Sequence, residues 1–85
     1  MRTFEYKITD EIGIHARPAG LLAKEAKNYT SKITLYKGDK SADLLRLMAI
    51  MSLGVKCGDE VKVEISGDDE DAAYEAFLKL FQENL

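Results

Sequence analysis

The 85-residue sequence is poor in several residue types: it has no tryptophan and only one cysteine, one proline and one histidine. Because Cys57 has no second cysteine to pair with, an internal disulfide is excluded, which suits a reducing compartment. No apolar run reaches the roughly 18 residues that a membrane-spanning helix needs, and charged residues follow Met1 at once. We therefore expect a cytoplasmic protein with neither membrane insertion nor a secretory signal.

The sequence also lacks an excess of positive charge: 12 lysine and arginine residues face 15 aspartate and glutamate residues, for a net charge of −3 at pH 7. Without a dominant basic face, we expect no nucleic-acid partner. One histidine and one cysteine offer no metal-ligand set, and we expect no cofactor. A chain of this length is expected to form one domain over residues 1–85, with a modest core and no two-lobed active site.

Alternating apolar and polar residues predict the strands, and apolar residues at helical spacing predict the helices. The predicted strands lie at 2–8, 32–36, 40–43 and 60–66, and the predicted helices begin at Ala16, at Leu44 and in the acidic run 67–70. The second helix is predicted over 44–53, with Gly54 at its C-terminal cap. The order β-α-β-β-α-β-α predicts an α+β fold, in which helices cover one face of an antiparallel sheet.

The residues with chemical potential lie at 13–19, Gly-Ile-His-Ala-Arg-Pro-Ala. Pro18 fits only the first turn of a helix, which places His15 at or beside the N-cap. The free N–H groups and positive dipole end of a helix N-terminus favour anions. Arg17 adds a guanidinium that matches phosphate oxygens, and a neutral imidazole can attack a phosphoryl group. The segment therefore indicates a phosphate-accepting histidine.

The same residues also have ordinary structural uses. A single histidine near a helix start is often a cap or a solvated surface residue, and most surface arginines are solvated. A requirement for positive φ explains Gly13 equally well. Pattern alone therefore leaves a structural and a functional interpretation open.

The segment His15-Ala16-Arg17-Pro18-Ala19 resembles the active-site signature of the HPr family, the histidine-containing phosphocarriers of the bacterial phosphoenolpyruvate:sugar phosphotransferase system. Residues 47–55, Leu-Met-Ala-Ile-Met-Ser-Leu-Gly-Val, resemble the second signature of that family. The resemblance spans essentially the whole chain. It implies an open-faced β-sandwich, with a four-stranded antiparallel sheet covered on one face by three helices.

The resemblance implies a relay rather than a stand-alone enzyme. His15 is implied to accept a phosphoryl group on Nδ1 from enzyme I and to pass it to enzyme IIA domains. Arg17 is implied to stabilise the phosphoryl group, and the backbone amides of Ala16 and Arg17 are implied to bind it. A monomer suits a carrier that meets successive partners through one face.

The segment 44–53 carries more apolar residues than one buried face can hold, so some are expected at the surface, where they often mark a partner site. Methionine suits a surface that meets several partners. The resemblance implies that the first and second helices form a docking surface for enzyme I and enzyme IIA. Its predicted members are Gly20, Leu21, Lys24, Lys27, Leu47, Met48 and Met51. The alternative is that most of these residues belong to the core.

Position 46 departs from the family pattern. Many Gram-positive members carry a serine there that a dedicated kinase phosphorylates, whereas the guanidinium of Arg46 cannot accept a phosphoryl group. It also places a positive charge where phosphoserine would place a negative one. We therefore predict that seryl regulation is absent at this position. An HPr-like regulatory docking module and a nitrogen-type phosphotransfer paralogue are the alternatives to a sugar phosphocarrier.

Overall fold

A computed structural model describes all 85 residues of the chain. The elements, in chain order, are β1 (Arg2–Lys7), α1 (Ala16–Ala26), β2 (Lys32–Lys37), β3 (Lys40–Asp43), α2 (Leu47–Ser52), β4 (Glu60–Ser66) and α3 (Glu70–Asn84). This is the order that the hydrophobic pattern predicts. None of the three helices has the length and apolarity required to cross a membrane.

The four strands form one antiparallel sheet in the order β1-β4-β2-β3. Val63, in the central strand β4, lies opposite Phe4 of β1 and Leu35 of β2. All three side chains are buried, whereas their neighbours Lys62 and Glu64 lie on the opposite face, as the period of two requires. With helices on one face only, the fold is the predicted open-faced β-sandwich.

The helices each contribute apolar side chains to the core beneath the sheet. On α1 the predicted stripe is buried throughout: Ala19, Leu22, Ala23 and Ala26. On α3 the ring of Phe81 packs edge-on against Phe4 and Tyr6, with ring centroids 5.4 and 5.6 Å apart. Edge-to-face pairs of this kind stabilise a core beyond the area that they bury. The core therefore ties α3 to the edge strand β1.

The second helix is shorter than predicted, because α2 spans Leu47–Ser52 rather than 44–53. A turn occupies the first predicted positions. The carboxylate of Asp43 accepts the N–H of Leu45 over 2.9 Å, and its carbonyl accepts the N–H of Arg46 over 3.0 Å. Aspartate side chains compete with helical hydrogen bonds in this way, so the helix begins only after the turn.

Candidate functional site

His15 is the N-cap residue of α1, with an extended backbone conformation (φ −100°, ψ −168°). Its carbonyl accepts the N–H of Ala19 over 3.0 Å, the first hydrogen bond of the helix. The half-buried imidazole makes no capping hydrogen bond. His15 therefore lies at the helix start, as predicted, and its ring nitrogens are available to a ligand.

The N-terminus of α1 is open to an anion. The N–H groups of Ala16 and Arg17 have no acceptor within the chain, and Pro18 has no N–H to satisfy. Pro18 itself is buried in the first turn, where its fixed φ angle fits the helix. Two free donors at the positive end of the helix dipole therefore adjoin the imidazole.

Arg17 and His15 line the same shallow depression, which has a volume of about 430 Å³. Glu83 and Asn84, at the end of α3, form another part of its wall. The Arg17 guanidinium is exposed and takes part in none of the four ion pairs of the chain. No group of three or more His, Cys, Asp or Glu side chains comes together as a possible metal site.

The loop before His15 is fixed against the backbone of residues 55–56. The N–H of the buried Ile14 donates to the carbonyl of Val55 over 3.1 Å. Gly13 has a φ angle of +83°, and a Cβ atom at this position would lie only 2.3 Å from the Val55 oxygen. Only glycine satisfies both conditions, so the structural interpretation of Gly13 is confirmed.

The 54–59 loop behind Gly13 is itself held by Asp59. Its carboxylate accepts the N–H of Lys56 over 2.8 Å and lies 3.2 Å from the Nζ of Lys37. These contacts, led by the Lys56 hydrogen bond, hold the pKa of Asp59 below its ordinary value of 3.8. Lys37 also donates to the carbonyl of Gly54 over 2.8 Å. A hydrogen-bonded platform therefore supports the loop that carries His15.

The predicted docking residues lie on α1, at its C-cap Lys27 and on α2, and these two helices pack together. Three of their apolar side chains are exposed: Met48 by 73%, Leu47 by 39% and Leu21 by 38%. Lys24 and Lys27 are exposed and form no ion pair. The expectation that some apolar residues of segment 44–53 reach the surface is confirmed by Leu47 and Met48.

Two predicted docking residues are less exposed than the others, and one exposed apolar residue was not predicted. Met51 is half-buried and packs against the core, and Gly20 is also half-buried. Leu45, in the turn before α2, is 51% exposed although it was not predicted as a docking residue. The shortened helix explains the exposure of Leu45, because this residue lies in the turn formed by Asp43 and not on a face of α2.

Asp10 is a site residue that sequence reasoning missed. Its carboxylate accepts the N–H groups of Ile12 and Gly13, and its side chain borders the same depression as His15. The residues that the sequence marks as chemically relevant begin at Gly13, so Asp10 was not among them. The available signal was an aspartate three residues before a glycine, a spacing typical of a side-chain-stabilised turn.

Fold and site together define a class of protein: a small open-faced β-sandwich that presents one imidazole at the N-terminus of its first helix. The family model described as PTS HPr component phosphorylation site matches residues 2–83. The chain therefore belongs to the HPr family of phosphocarrier proteins.

Named relatives agree with this assignment. The chain is 41% identical over 76 residues to the phosphocarrier protein HPr of Mycoplasma capricolum, covering 89% of this chain and 85% of that protein. The structure of HPr-C-His from Thermoanaerobacter tengcongensis aligns with a TM-score of 0.91 and 38% identity, covering 96% of this chain and 92% of that one. An HPr dimer from the same organism aligns with a TM-score of 0.76 and 39% identity, covering 92% and 94%.

Proposed function

We propose that this chain, as a single domain over residues 1–85, carries phosphoryl groups in the cytoplasmic part of the phosphoenolpyruvate-dependent sugar phosphotransferase system. His15 accepts the group from enzyme I and passes it to enzyme IIA domains. The observation that carries the proposal is the position of the uncapped His15 imidazole beside the free N–H groups of Ala16 and Arg17.

The transfer step is a displacement at phosphorus. The lone pair of a neutral imidazole nitrogen of His15 forms the N–P bond while the bond between phosphorus and the donor breaks. The donor leaves with that electron pair. In a second displacement, a nucleophilic atom of the next acceptor attacks phosphorus and the N–P bond breaks. The electron pair of that bond returns to the imidazole nitrogen, which regenerates His15. The chain therefore acts as a reaction intermediate rather than as an independent catalyst.

Arg17 supplies the positive charge beside the transferred group. Its guanidinium has no intramolecular carboxylate partner, so binding a phosphoryl group breaks no existing ion pair. Charge on the phosphoryl oxygens is stabilised by such a cation and by backbone N–H groups that are already oriented. The amides of Ala16 and Arg17 fulfil the second role at the N-terminus of α1.

The docking surface consists of Gly20, Leu21, Lys24, Lys27, Leu47, Met48 and Met51. Its exposed apolar side chains and unpaired lysines fit partners that present an apolar patch with carboxylates at its rim. Because one face serves successive partners, we propose that the chain works as a monomer, although several structures of relatives are described as dimers. Arg46, which adjoins this surface, has no hydroxyl group for seryl regulation.

The experiment that tests the carrier role is a mass spectrum of the purified protein after incubation with enzyme I, phosphoenolpyruvate and Mg²⁺. We expect one added phosphoryl group, which is lost on acid treatment, as phosphohistidine requires. The matched variant His15→Ala should remain folded and unmodified, because the imidazole makes no capping hydrogen bond. Subsequent addition of an enzyme IIA domain should remove the group from the carrier.

Two outcomes would contradict the proposal. The first is the absence of modification by an enzyme I preparation that phosphorylates a known carrier. The second is equal modification of the wild-type protein and of His15→Ala, which would place the phosphoryl group on another residue. The first outcome would favour a regulatory docking module or a different phosphoryl donor.

A further inference from the structure

We propose that Asp10 is a positioning residue for His15, whose carboxylate fixes the turn that presents the imidazole. This inference rests on the proposed role of His15 as phosphoryl acceptor. It concerns the backbone that supports the imidazole, not a direct contact with the phosphoryl group.

A continuous set of hydrogen bonds runs from Asp10 to His15. The Oδ2 atom of Asp10 accepts the N–H of Ile12 over 3.1 Å and the N–H of Gly13 over 3.2 Å. The carbonyl of Asp10 accepts the same Gly13 N–H over 3.1 Å, and the carbonyl of Gly13 accepts the N–H of His15 over 3.2 Å. Each successive hydrogen bond fixes the backbone at a residue nearer to His15 in the chain.

The other end of this set is anchored to Leu85, the residue that follows α3. The N–H of Asp10 donates to the main-chain oxygen of Leu85 over 2.9 Å, and the N–H of Thr9 donates to the same oxygen. Leu85 is buried, with only 4% of its surface exposed. Asp10 therefore connects a fixed point of the core to the turn that precedes His15.

The position of the imidazole depends on this turn, because the ring makes no capping hydrogen bond that would hold it. Its orientation is inherited from the backbone, and a misplacement of about 1 Å can slow a reaction by about a hundredfold. A carboxylate near an incoming phosphoryl group is electrostatically unfavourable. Its two hydrogen bonds to backbone N–H groups give Asp10 a different use, which is to hold the turn.

The test compares Asp10→Ala with Asp10→Asn. The amide oxygen of asparagine retains an acceptor for Ile12 and Gly13 but removes the charge. Asp69→Ala is the structural control, because Asp69 caps backbone N–H groups in the Thr30–Ser31 segment, beyond the other end of α1. The kcat and KM for phosphorylation by enzyme I are measured for each folded variant, together with the NMR signals of the imidazole. The chain has one histidine, so these signals belong to His15 alone.

We expect Asp10→Ala to lower kcat by about tenfold or more while KM changes less than kcat. Its imidazole signals should shift or broaden. Asp10→Asn should restore both the rate and the signals, and Asp69→Ala should lower the melting temperature without moving either.

Three results would overturn the positioning role: an Asp10→Ala loss confined to KM, failure of asparagine to rescue, or imidazole signals unchanged in Asp10→Ala. Failure of the proposed function itself looks different, because the wild-type protein then receives no phosphoryl group at all. In that case the NMR comparison still decides whether Asp10 positions the imidazole.

Discussion

Asp69 and Ser31 are joined through a single carboxylate oxygen: Oδ1 of Asp69 accepts the Ser31 N–H over 2.9 Å and also the Ser31 hydroxyl. The second oxygen accepts the N–H of Thr30 over 2.8 Å. Although Asp69 occupies the N-cap position of α3, its side chain does not cap that helix. It fixes instead the connection between α1 and β2, at the opposite end of α1 from His15.

These hydrogen bonds predict a specific pH dependence of stability. The Ser31 hydroxyl first, and then the Thr30 N–H, hold the pKa of Asp69 in the folded protein below its ordinary value of 3.8. A lowered folded-state pKa stabilises the fold above pH 3.8, and this contribution is lost as pH falls through the folded-state pKa. Asp69→Asn should therefore melt at a lower temperature than wild type near pH 7, and the difference should shrink below pH 3.8.

Thermal melts between neutral and strongly acidic pH test this expectation. Asp68→Asn is the matched control, because Asp68 is exposed and its side chain makes no hydrogen bond or ion pair. Its melting temperature should follow that of wild type at every pH. A difference between wild type and Asp69→Asn that stays constant into the acid range would contradict the assigned cause.

Gly13→Ala should destabilise the protein by about 2 kcal/mol or more, because it combines a positive φ angle with steric overlap. The new methyl group would lie 2.3 Å from the carbonyl oxygen of Val55. Gly38→Ala is the control: its φ angle is +60°, but no atom lies within 4 Å of the new methyl group. It should cost only about 1 kcal/mol. Urea unfolding measures both values, and equal losses would show that overlap with Val55 is unimportant.

Arg17→Ala should slow phosphoryl transfer by about tenfold to a hundredfold, because it removes the cation beside the transferred group. Unfolding free energy should change by no more than about 0.5 kcal/mol, as expected for an exposed side chain without partners. Arg17→Lys should recover part of the rate, because lysine keeps the charge but loses the bidentate geometry. Rapid-quench kinetics with enzyme I provide the rates. Parallel losses of stability and activity would instead make Arg17 a structural residue.

Met48→Glu should raise the KM for enzyme I by about fivefold or more, with little change in kcat or melting temperature. The side chain is 73% exposed, so a carboxylate here stays solvated in the free protein but opposes burial in a docked complex. Gln82→Glu adds the same charge at an exposed position on α3 and should leave KM unchanged. An equal effect of both variants would indicate general charge repulsion rather than docking.

Much of the fold is predictable because burial in this chain follows simple periods. In β4, Val61, Val63 and Ile65 alternate with polar residues, and the structure buries all three. The predicted start of α2 was wrong by three residues, because Leu44 and Leu45 are as apolar as the helix that follows. The hydrogen bonds from the N–H groups of Leu45 and Arg46 to Asp43 separate the turn from the helix.

The site is predictable to a similar extent and for a similar reason. The positions of His15 and Pro18 follow from local rules about helix starts, which need no knowledge of the tertiary structure. Asp10 was missed because its importance arises from contacts to Gly13 on one side and to Leu85 on the other. Hydrophobic periodicity contains no information about such a link between distant segments.

The position of β4 between β1 and β2 has a consequence for folding during translation. Residues Glu60–Ser66 pair with both β1 and β2, so the two earlier strands have no common neighbour until β4 has been translated. Contacts between segments that are distant in the sequence form slowly. Until they form, the incompletely folded chain exposes the apolar faces of its strands. A nascent chain that lacks residues Glu60–Ser66 therefore exposes apolar faces of β1 and β2, because the strand that joins them is still missing.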